Sequence, residues 1–184
     1  VGEITQRKNH IVMIDAMKEL LDLPLVYIIC GSGPEEDKLK AYVHELGLES
    51  RVKFAGYVEQ VPAMLCQADC FVFPSFQEGL PRAMLEAMAS GLPVICSEIR
   101  GNTDLMGDSW TLSADRKRKL CPGGVMLSQL QDADVWAEAL EDMLSRKNCW
   151  KEMGEACIQR SQEFSLDTVE KKMREIYGRF AEME

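Results

Sequence analysis

The sequence predicts an α/β fold, a parallel sheet with helices on both faces. Three observations predict it. Short apolar runs of strand length alternate with longer stretches of helical periodicity through the first hundred residues. Glycine and proline punctuate most of the changes from one to the other. Residues 70–96 read as a complete strand, loop, helix and strand, the unit from which parallel sheets are built.

The elements follow in order. Asn9 to Leu21 carries Ile11, Ile14, Met17, Lys18 and Leu21 at helical spacing. Leu25 to Cys30 is a strand. Gly31-Ser32-Gly33-Pro34 turns the chain into a helix from Glu35 to Leu46, which Gly47 closes. Val52 to Phe54 is a strand that ends at Gly56, and Val61 to Gln67 is a short helix. Cys70 to Phe73 and Val94 to Cys96 are short, fully buried strands. Between them, Pro81 fits the first helical position, where its missing N–H costs nothing. Ala83, Met84, Leu85, Ala87, Met88 and Ala89 carry the helix on; Gly91 fits the position just past its end, and Pro93 prevents continuation.

After Gly101 the pattern loosens. Arg116-Lys117-Arg118-Lys119 is a basic run in a loop, followed by Pro122-Gly123-Gly124. Asp134 to Leu144 is a helix with Val135, Trp136, Ala139, Leu140 and Met143 on one face. Lys147 to Phe164 is another, of weaker periodicity. Ser165 caps the last helix, where Val169, Met173, Ile176, Tyr177 and Phe180 form an apolar stripe. No internal repeat or low-complexity linker interrupts the chain, so residues 1–184 are read as one domain.

Composition narrows the function. A hydrophobic content of 46% with 28% charged residues fits a soluble globular domain. The longest apolar run, around Leu23 to Cys30, is far too short to span a bilayer. No signal peptide is visible, and Val1 does not read as a native start. A net charge of −9 argues against nucleic acid as a partner. Seven cysteines is an odd number in no metal-binding spacing. Cys30, Cys70 and Cys96 fall on strands, where a thiol is a small apolar residue. All seven read as reduced, which places the chain in the cytoplasm. His10 and His44 have no obvious partner and default to surface or helix-flank positions. No His/Cys/Asp cluster suggests a metal.

The chemistry concentrates in Phe71 to Ile95. In a strand–helix–strand unit the ligand crevice lies at the carboxyl end of the strand. The free N–H groups of Leu80, Arg82 and Ala83 would face it and favour an anion. Glu78 lies in the loop before the helix, and Glu86 about one and a half turns inside it. A carboxylate is a poor phosphate partner but a good acceptor for hydroxyl pairs. The simplest ligand with a phosphate centre and hydroxyls at both ends is a nucleotide sugar. Glu86 would then take a ribose and Glu78 the transferred sugar. Two glutamates eight positions apart are by themselves usually solvated surface charges; the residues around them carry the reading.

Those residues, Pro74 to Val94, form Pro-Ser-x-x-Glu-Gly-x-Pro-x-x-x-x-Glu-Ala-Met-Ala-x-Gly-x-Pro-Val. The pattern resembles the donor-site signature of glycosyltransferase family four, retaining enzymes of the GT-B fold. The resemblance covers nearly the whole chain but only half of a family member. It implies the Rossmann-like C-terminal half of the GT-B fold, which binds the donor nucleotide. The acceptor would bind a similar N-terminal domain outside this chain. The last helix resembles the one that packs on that other half, so its apolar stripe is an association hazard here.

Further marks carry the resemblance. Gly31-Ser32-Gly33-Pro34 resembles the family's loop near the donor phosphates. It is not a dinucleotide fingerprint, whose third glycine would fall at Glu36. Val52-x-Phe54-x-Gly56-Tyr57 resembles the segment that cradles the base, which implies that the backbone of Tyr57 and Val58 reads the base edge. Arg7-Lys8-Asn9-His10 resembles the segment whose lysine, here Lys8, pairs with the diphosphate. One departure is Glu3, where many members carry arginine. Either Arg7 substitutes for it, or Glu3 orients Lys8 by a salt bridge. Glu3 and Arg100-Gly101-Asn102-Thr103-Asp104 resemble members that assemble exopolysaccharide or capsule.

The resemblance therefore implies a retaining hexosyltransferase that uses no metal or cofactor. The donor is a nucleotide-diphosphate sugar, UDP favoured with GDP open, and the acceptor is a polysaccharide or lipid-linked sugar. Lys8 and Glu78 are the catalytic candidates. Arg7, Gly31, Gly33, Tyr57, Val58, Gly79, Leu80, Arg82 and Glu86 are the binding candidates. Lys8, Arg7 and the amides after Glu78 would stabilise the departing diphosphate. No general base is assignable, and the isolated domain should bind donor but transfer poorly. The basic run could touch an anionic acceptor or a membrane surface, so peripheral membrane association of the longer enzyme is a further expectation. A nucleotide-sugar epimerase and a non-catalytic nucleotide-sugar binding module are the alternatives; a dinucleotide-dependent dehydrogenase is disfavoured by the failed fingerprint.

Overall fold

A computed structural model describes residues 1–181, with side chains to Gly178. After the first of two short 3-10 turns (Gln6–Lys8, with the other at Lys147–Cys149) come α1 (His10–Glu19), β1 (Tyr27–Cys30), α2 (Glu36–Glu45), β2 (Val52–Gly56) and α3 (Val61–Leu65). The middle of the chain forms β3 (Phe71–Phe73), α4 (Arg82–Ala89), β4 (Val94–Ser97) and α5 (Arg100–Met106). Then follow β5 (Thr111–Leu112), β6 (Arg118–Cys121), β7 (Gly124–Leu127), α6 (Ala133–Ser145), α7 (Trp150–Gln162) and α8 (Leu166–Ala181).

The strands form a pair, β1-β2, and a five-stranded sheet in the order β3-β4-β7-β6-β5. The expected parallel pairing holds for β1 with β2, β3 with β4, and β4 with β7. It fails beyond: β7 with β6 and β6 with β5 are antiparallel. Only Pro122 and Gly123 separate β6 from β7, a link that can join antiparallel neighbours but not parallel ones. Gly124 is required at the start of β7, because a Cβ there would lie 1.9 Å from the Val94 carbonyl oxygen.

The basic run is thus not a simple loop, since Arg118 and Lys119 stand on β6. Arg118 bonds Asp115 and the Glu138 carbonyl, and Lys119 pairs with Glu98 while lying over the Trp110 ring. The helix α5 also goes beyond the sequence reading; its seven residues are too few to show a period.

β4 is buried along its whole length, as a central strand with helices on both faces must be. Val94 and Cys96 pack with Met84, Met88, Leu105 and Cys157 on one face, and Ile95 packs with Trp136, Val125 and Met13 on the other. A third cluster joins Ile14 and Met17 to Ile29, Leu39, Val43 and Val52 around the β1-β2 pair. α1 serves the second and third clusters together, so its buried face is wider than one stripe. Val12, Met13, Ala16 and Leu20 are buried, whereas Ile11 and Leu21, expected inside, are exposed.

Caps follow the sequence with one shift. Pro81 is the N-cap of α4, with ψ 95°, and the helix begins at Arg82. Gly91 takes φ 78° just past its end. The Gly91 N–H donates to Met88 and the Leu92 N–H to Ala87, the Schellman pattern that closes orphan carbonyls. Asp132 caps α6, and the Ser165 hydroxyl accepts the Thr168 N–H at the head of α8. Val169, Met173, Ile176 and Tyr177 of the α8 stripe are exposed, and the side chain of Phe180 lies outside the described residues. All seven cysteines are free.

Candidate functional site

The loops that leave β1, β2, β3 and β4 at their carboxyl ends converge with residues 2–9, the position where α/β sheets bind ligands. Residues 2–4 run beside the exit of β1: the Gly2 N–H donates to Cys30 and the Ile4 N–H to Ser32, each at 2.9 Å. Gly31 and Gly33 are demanded by that approach. A Cβ on Gly31 would lie 1.8 Å from the Gly2 oxygen, and one on Gly33 would lie 2.4 Å from the Ile4 oxygen. The β2 exit joins the same cluster, since the Gly31 N–H donates to Gly56 at 2.6 Å. Tyr57 and Val58 therefore leave beside the glycine loop, with the Tyr57 ring exposed.

The 3-10 turn then presents Arg7 and Lys8 to the loop after β3. Lys8 Nζ donates to Glu78 Oε1 at 2.8 Å, and the two side chains are only 13% and 9% exposed. The Lys8 ammonium also sits 4.6 Å from the centre of the Phe73 ring. Arg7 donates to the Gln77 carbonyl at 3.2 Å and lies 4.0 Å from Glu78, while the Phe76 N–H donates to the Arg7 carbonyl. Arg7, Lys8 and Glu78 thus form one cluster from segments seventy residues apart. The anticipated salt bridge from Glu3 to Lys8 does not form; Glu78 takes Lys8 instead. Glu3 is solvent-exposed.

Two residues that the sequence reading did not assign a role hold this cluster in place. Asn9 ends the turn with φ 51°, a left-handed conformation that asparagine tolerates, and its buried side chain donates to the Leu130 carbonyl at 2.7 Å. It fixes the direction in which the chain leaves Lys8. Gly101, in the first turn of α5, backs the loop that carries Glu78. A Cβ on Gly101 would lie 1.8 Å from the Gly79 oxygen. Glycine at the start of a segment after a buried strand was the available signal, but nothing local reveals what it touches.

The first hydrogen bond closing α4 runs from the Leu85 N–H to Pro81. The amides before it belong to Arg82, Ala83 and Met84, so Met84 joins the expected set and Leu80 lies in the preceding loop. Arg82 and Glu86 occupy the exposed face of the helix one turn apart. Burial holds the Val1 ammonium below its ordinary range, with Cys30 raising it, Lys8 lowering it and Glu86 raising it. The buried hydroxyls of Thr5 and Ser75, on the two loops that meet here, have no hydrogen-bond partner among the described residues.

Both histidines prove to have partners. His10 Nδ1 meets the Tyr27 hydroxyl at 2.7 Å, and His44 meets Glu49. Burial lowers the His10 pKa to about 3, helped by the positive amino terminus and Lys8, so the ring is neutral. Burial also raises the thiols of Cys70, Cys96, Cys121 and Cys157, which makes them poor nucleophiles. Among the described residues, no three of His, Cys, Asp or Glu are grouped to hold a metal ion. None of the described helices is long and apolar enough to cross a membrane.

Residues 1–164, including every element of this cluster, match the family of glycosyl transferases group 1. The chain belongs to that family. It is 36% identical over 111 residues to the UDP-Gal:alpha-D-GlcNAc-diphosphoundecaprenol alpha-1,3-galactosyltransferase of Escherichia coli, over 58% of this chain and 29% of that protein. Among solved group 1-like folds, the sucrose-phosphate synthase of Thermosynechococcus elongatus superposes on all of this chain and 45% of its own, with TM-score 0.81 and 24% identity. HepE of Anabaena, solved with UDP and glucose, superposes on 96% of this chain and 47% of its own, with TM-score 0.78 and 21% identity. At those identities the structural likeness shows the fold. The chain spans less than half the length of each of these three proteins.

Proposed function

We propose that this chain is the donor-binding domain of a retaining family-four glycosyltransferase that transfers a hexose from a nucleotide-diphosphate sugar. The observation that carries the reading is the Lys8–Glu78 pair beside Arg7, set against the head of the helix that bears Glu86. On donor arrival the diphosphate takes Lys8, and Arg7 stands where Glu3 offers no cation. Glu78, released from Lys8, accepts hydroxyls of the transferred sugar. Glu86 holds the ribose, and the backbone at Tyr57 and Val58 reads the base. Gly31, Gly33, Gly79 and Leu80 shape the phosphate loops, with Arg82 and the free amides of α4 completing the anion site.

The leaving diphosphate gains charge as the glycosidic bond breaks. An ammonium already fixed over an aromatic ring and shielded from water meets that charge with little reorganisation, and removing such a group typically costs about 10²–10³ in rate. UDP is the favoured carrier and a lipid-linked or polysaccharide sugar the favoured acceptor; the E. coli relative is named for a UDP sugar and a diphosphoundecaprenol-linked sugar. The acceptor binds a separate domain, and the apolar face of α8 packs on that domain. Seven free thiols support a reducing, cytoplasmic setting. The acidic net charge supports no nucleic-acid partner. Peripheral membrane contact by the longer enzyme falls to groups other than Arg118 and Lys119, which are engaged within the domain.

Calorimetric titration of the chain with UDP, GDP, ADP and NAD tests the reading. Saturable binding of UDP or GDP alone is expected and names the base. Binding of NAD in their place overturns it.

A further inference from the structure

The Glu78 carboxylate is held by Lys8, but the backbone beneath it has few ties. Among the described residues, no backbone–backbone hydrogen bond holds Glu78, Gly79 or Leu80. What backs this stretch is the head of α5. A Cβ on Gly101 would lie 1.8 Å from the Gly79 oxygen and 3.1 Å from the Glu78 oxygen. The place of Glu78 therefore depends on where α5 stands.

A helix of seven residues has little stability of its own, so α5 must be held from outside. Its head is tied to the sheet: the fully buried Asn102 side chain donates to the Ser97 carbonyl, at the end of β4, at 2.9 Å. Its foot ends in carbonyls that no further turn can satisfy. The Gly107 N–H takes that of Thr103. The next two are met from another element. Arg160, on α7, donates through Nη2 to the Asp104 oxygen at 2.7 Å and through Nε to the Leu105 oxygen at 2.9 Å. The rigid fork of a guanidinium suits two adjacent carbonyls, and its charge suits the negative end of a helix. Arg160 is itself steadied, by an ion pair with Glu163 and by the Phe164 ring, whose centre lies 5.3 Å from its guanidinium carbon.

We propose that Arg160 is a positioning residue for Glu78, acting through α5 as a strut. It makes no contact with the Lys8 cluster. It fixes the foot of α5, and α5 carries that position to Gly101, which bears on Gly79. From Gly101 to Leu105 the helix rises only about 6 Å, so it shifts as one piece rather than bending. The mechanical part stands on this geometry alone. The consequence for sugar binding rests on the role proposed for Glu78.

The test compares the native chain with Arg160→Met, which keeps an apolar stem but donates nothing, and Arg160→Lys, which keeps a charged donor without the fork. Urea unfolding first establishes that each variant is folded. Backbone amide relaxation by NMR then reads Glu78, Gly79 and Leu80. Their order parameters should fall from about 0.85 towards about 0.6 in Arg160→Met, with Arg160→Lys between the two. In calorimetric titration the preference for UDP-glucose or UDP-galactose over UDP should fall by about 3–10-fold in Arg160→Met, with the affinity for UDP itself unchanged. Should Arg160→Met fail to fold, Arg160→Lys carries the same prediction in smaller measure. Glu78, Gly79 and Leu80 as ordered as in the native chain, with changes confined to α7 and the foot of α5, would overturn the proposal, because Arg160 would then only cap α5. Lost order at Glu78 in a chain whose native form shows no preference for the sugar-bearing nucleotide would uphold the strut and overturn the role given to Glu78 instead.

Discussion

Replacing Glu78 by alanine separates its contact with Lys8 from the role proposed for it as acceptor of the sugar hydroxyls. In the folded domain Glu78 holds Lys8 at 2.8 Å with both groups nearly buried. A hydrogen bond between charged partners contributes about 1.5–3 kcal/mol. A diphosphate that takes Lys8 must forgo that contact. In the variant Lys8 is free, so about half of the pair's worth, roughly 1 kcal/mol, is returned to the ligand. UDP should bind about 3–10-fold more tightly, at 1.4 kcal/mol per tenfold. A UDP-hexose gains the same amount but loses its hydroxyl acceptor, itself worth about 1.5–3 kcal/mol. The preference for UDP-hexose over UDP should therefore fall by about 10–100-fold. Calorimetric titration of native, Glu78→Ala and Glu78→Gln chains with UDP and with UDP-glucose or UDP-galactose reads the ratio directly. If UDP and UDP-hexose affinities fall together, Glu78 serves to position Lys8, and the exchange argument is wrong.

Four further outcomes are expected. Gly101→Ala places a Cβ 1.8 Å from the Gly79 oxygen; it should cost at least about 1–3 kcal/mol in urea unfolding and weaken UDP-hexose binding, and native-like binding would show that the Glu78 loop tolerates the shift. Trp136→Ala should destabilise by about 3–5 kcal/mol, since this ring is fully buried on the α6 side of the sheet, with donor affinity unchanged while the chain stays folded. His10 is neutral in the fold, with a pKa near 3, so the unfolded chain binds the extra proton below about pH 6.5 and stability falls with pH from there. Between pH 6.5 and 5 that loss approaches about 2 kcal/mol, and His10→Asn should flatten this part of the urea-midpoint profile; an unchanged profile would assign the slope elsewhere. Met173→Glu with Ile176→Glu charges the exposed face of α8 and should reduce self-association in sedimentation, whereas an unaltered distribution would exclude that face as the sticky one.

The coupling between scaffold and site runs through backbone contact. Gly31 and Gly33 let residues 2–4 lie against the β1 exit, and Gly101 lets α5 lie against the Glu78 loop. Both contacts are rigid because backbone meets backbone, with no flexible side chain to yield. They bring the two halves of the ion pair together from opposite sides. A change at any of these three glycines should therefore be felt at Lys8 and Glu78 before it is felt in the core.

Much of this arrangement is local and was legible in the chain itself. The strand–helix–strand unit, the Gly91 cap, the Ser165 cap and the buried character of β4 each depend on residues within a turn or two of one another. Lys8, Glu78 and Glu86 could be singled out because their residue types and flanking sequence are local as well. What the sequence did not reveal depends on distant partners. Lys8 meets Glu78 across seventy residues, and Asn9 meets Leu130 across 121. Gly101 was visible only as a glycine until Gly79 lay against it. The antiparallel return of β6 and β7 put two residues of an apparent basic loop onto a strand and into ion pairs. Periodicity reports which face of an element avoids water, because that is decided residue by residue. Which charge ends beside which is decided by the path of the backbone in space, and only the folded chain fixes it.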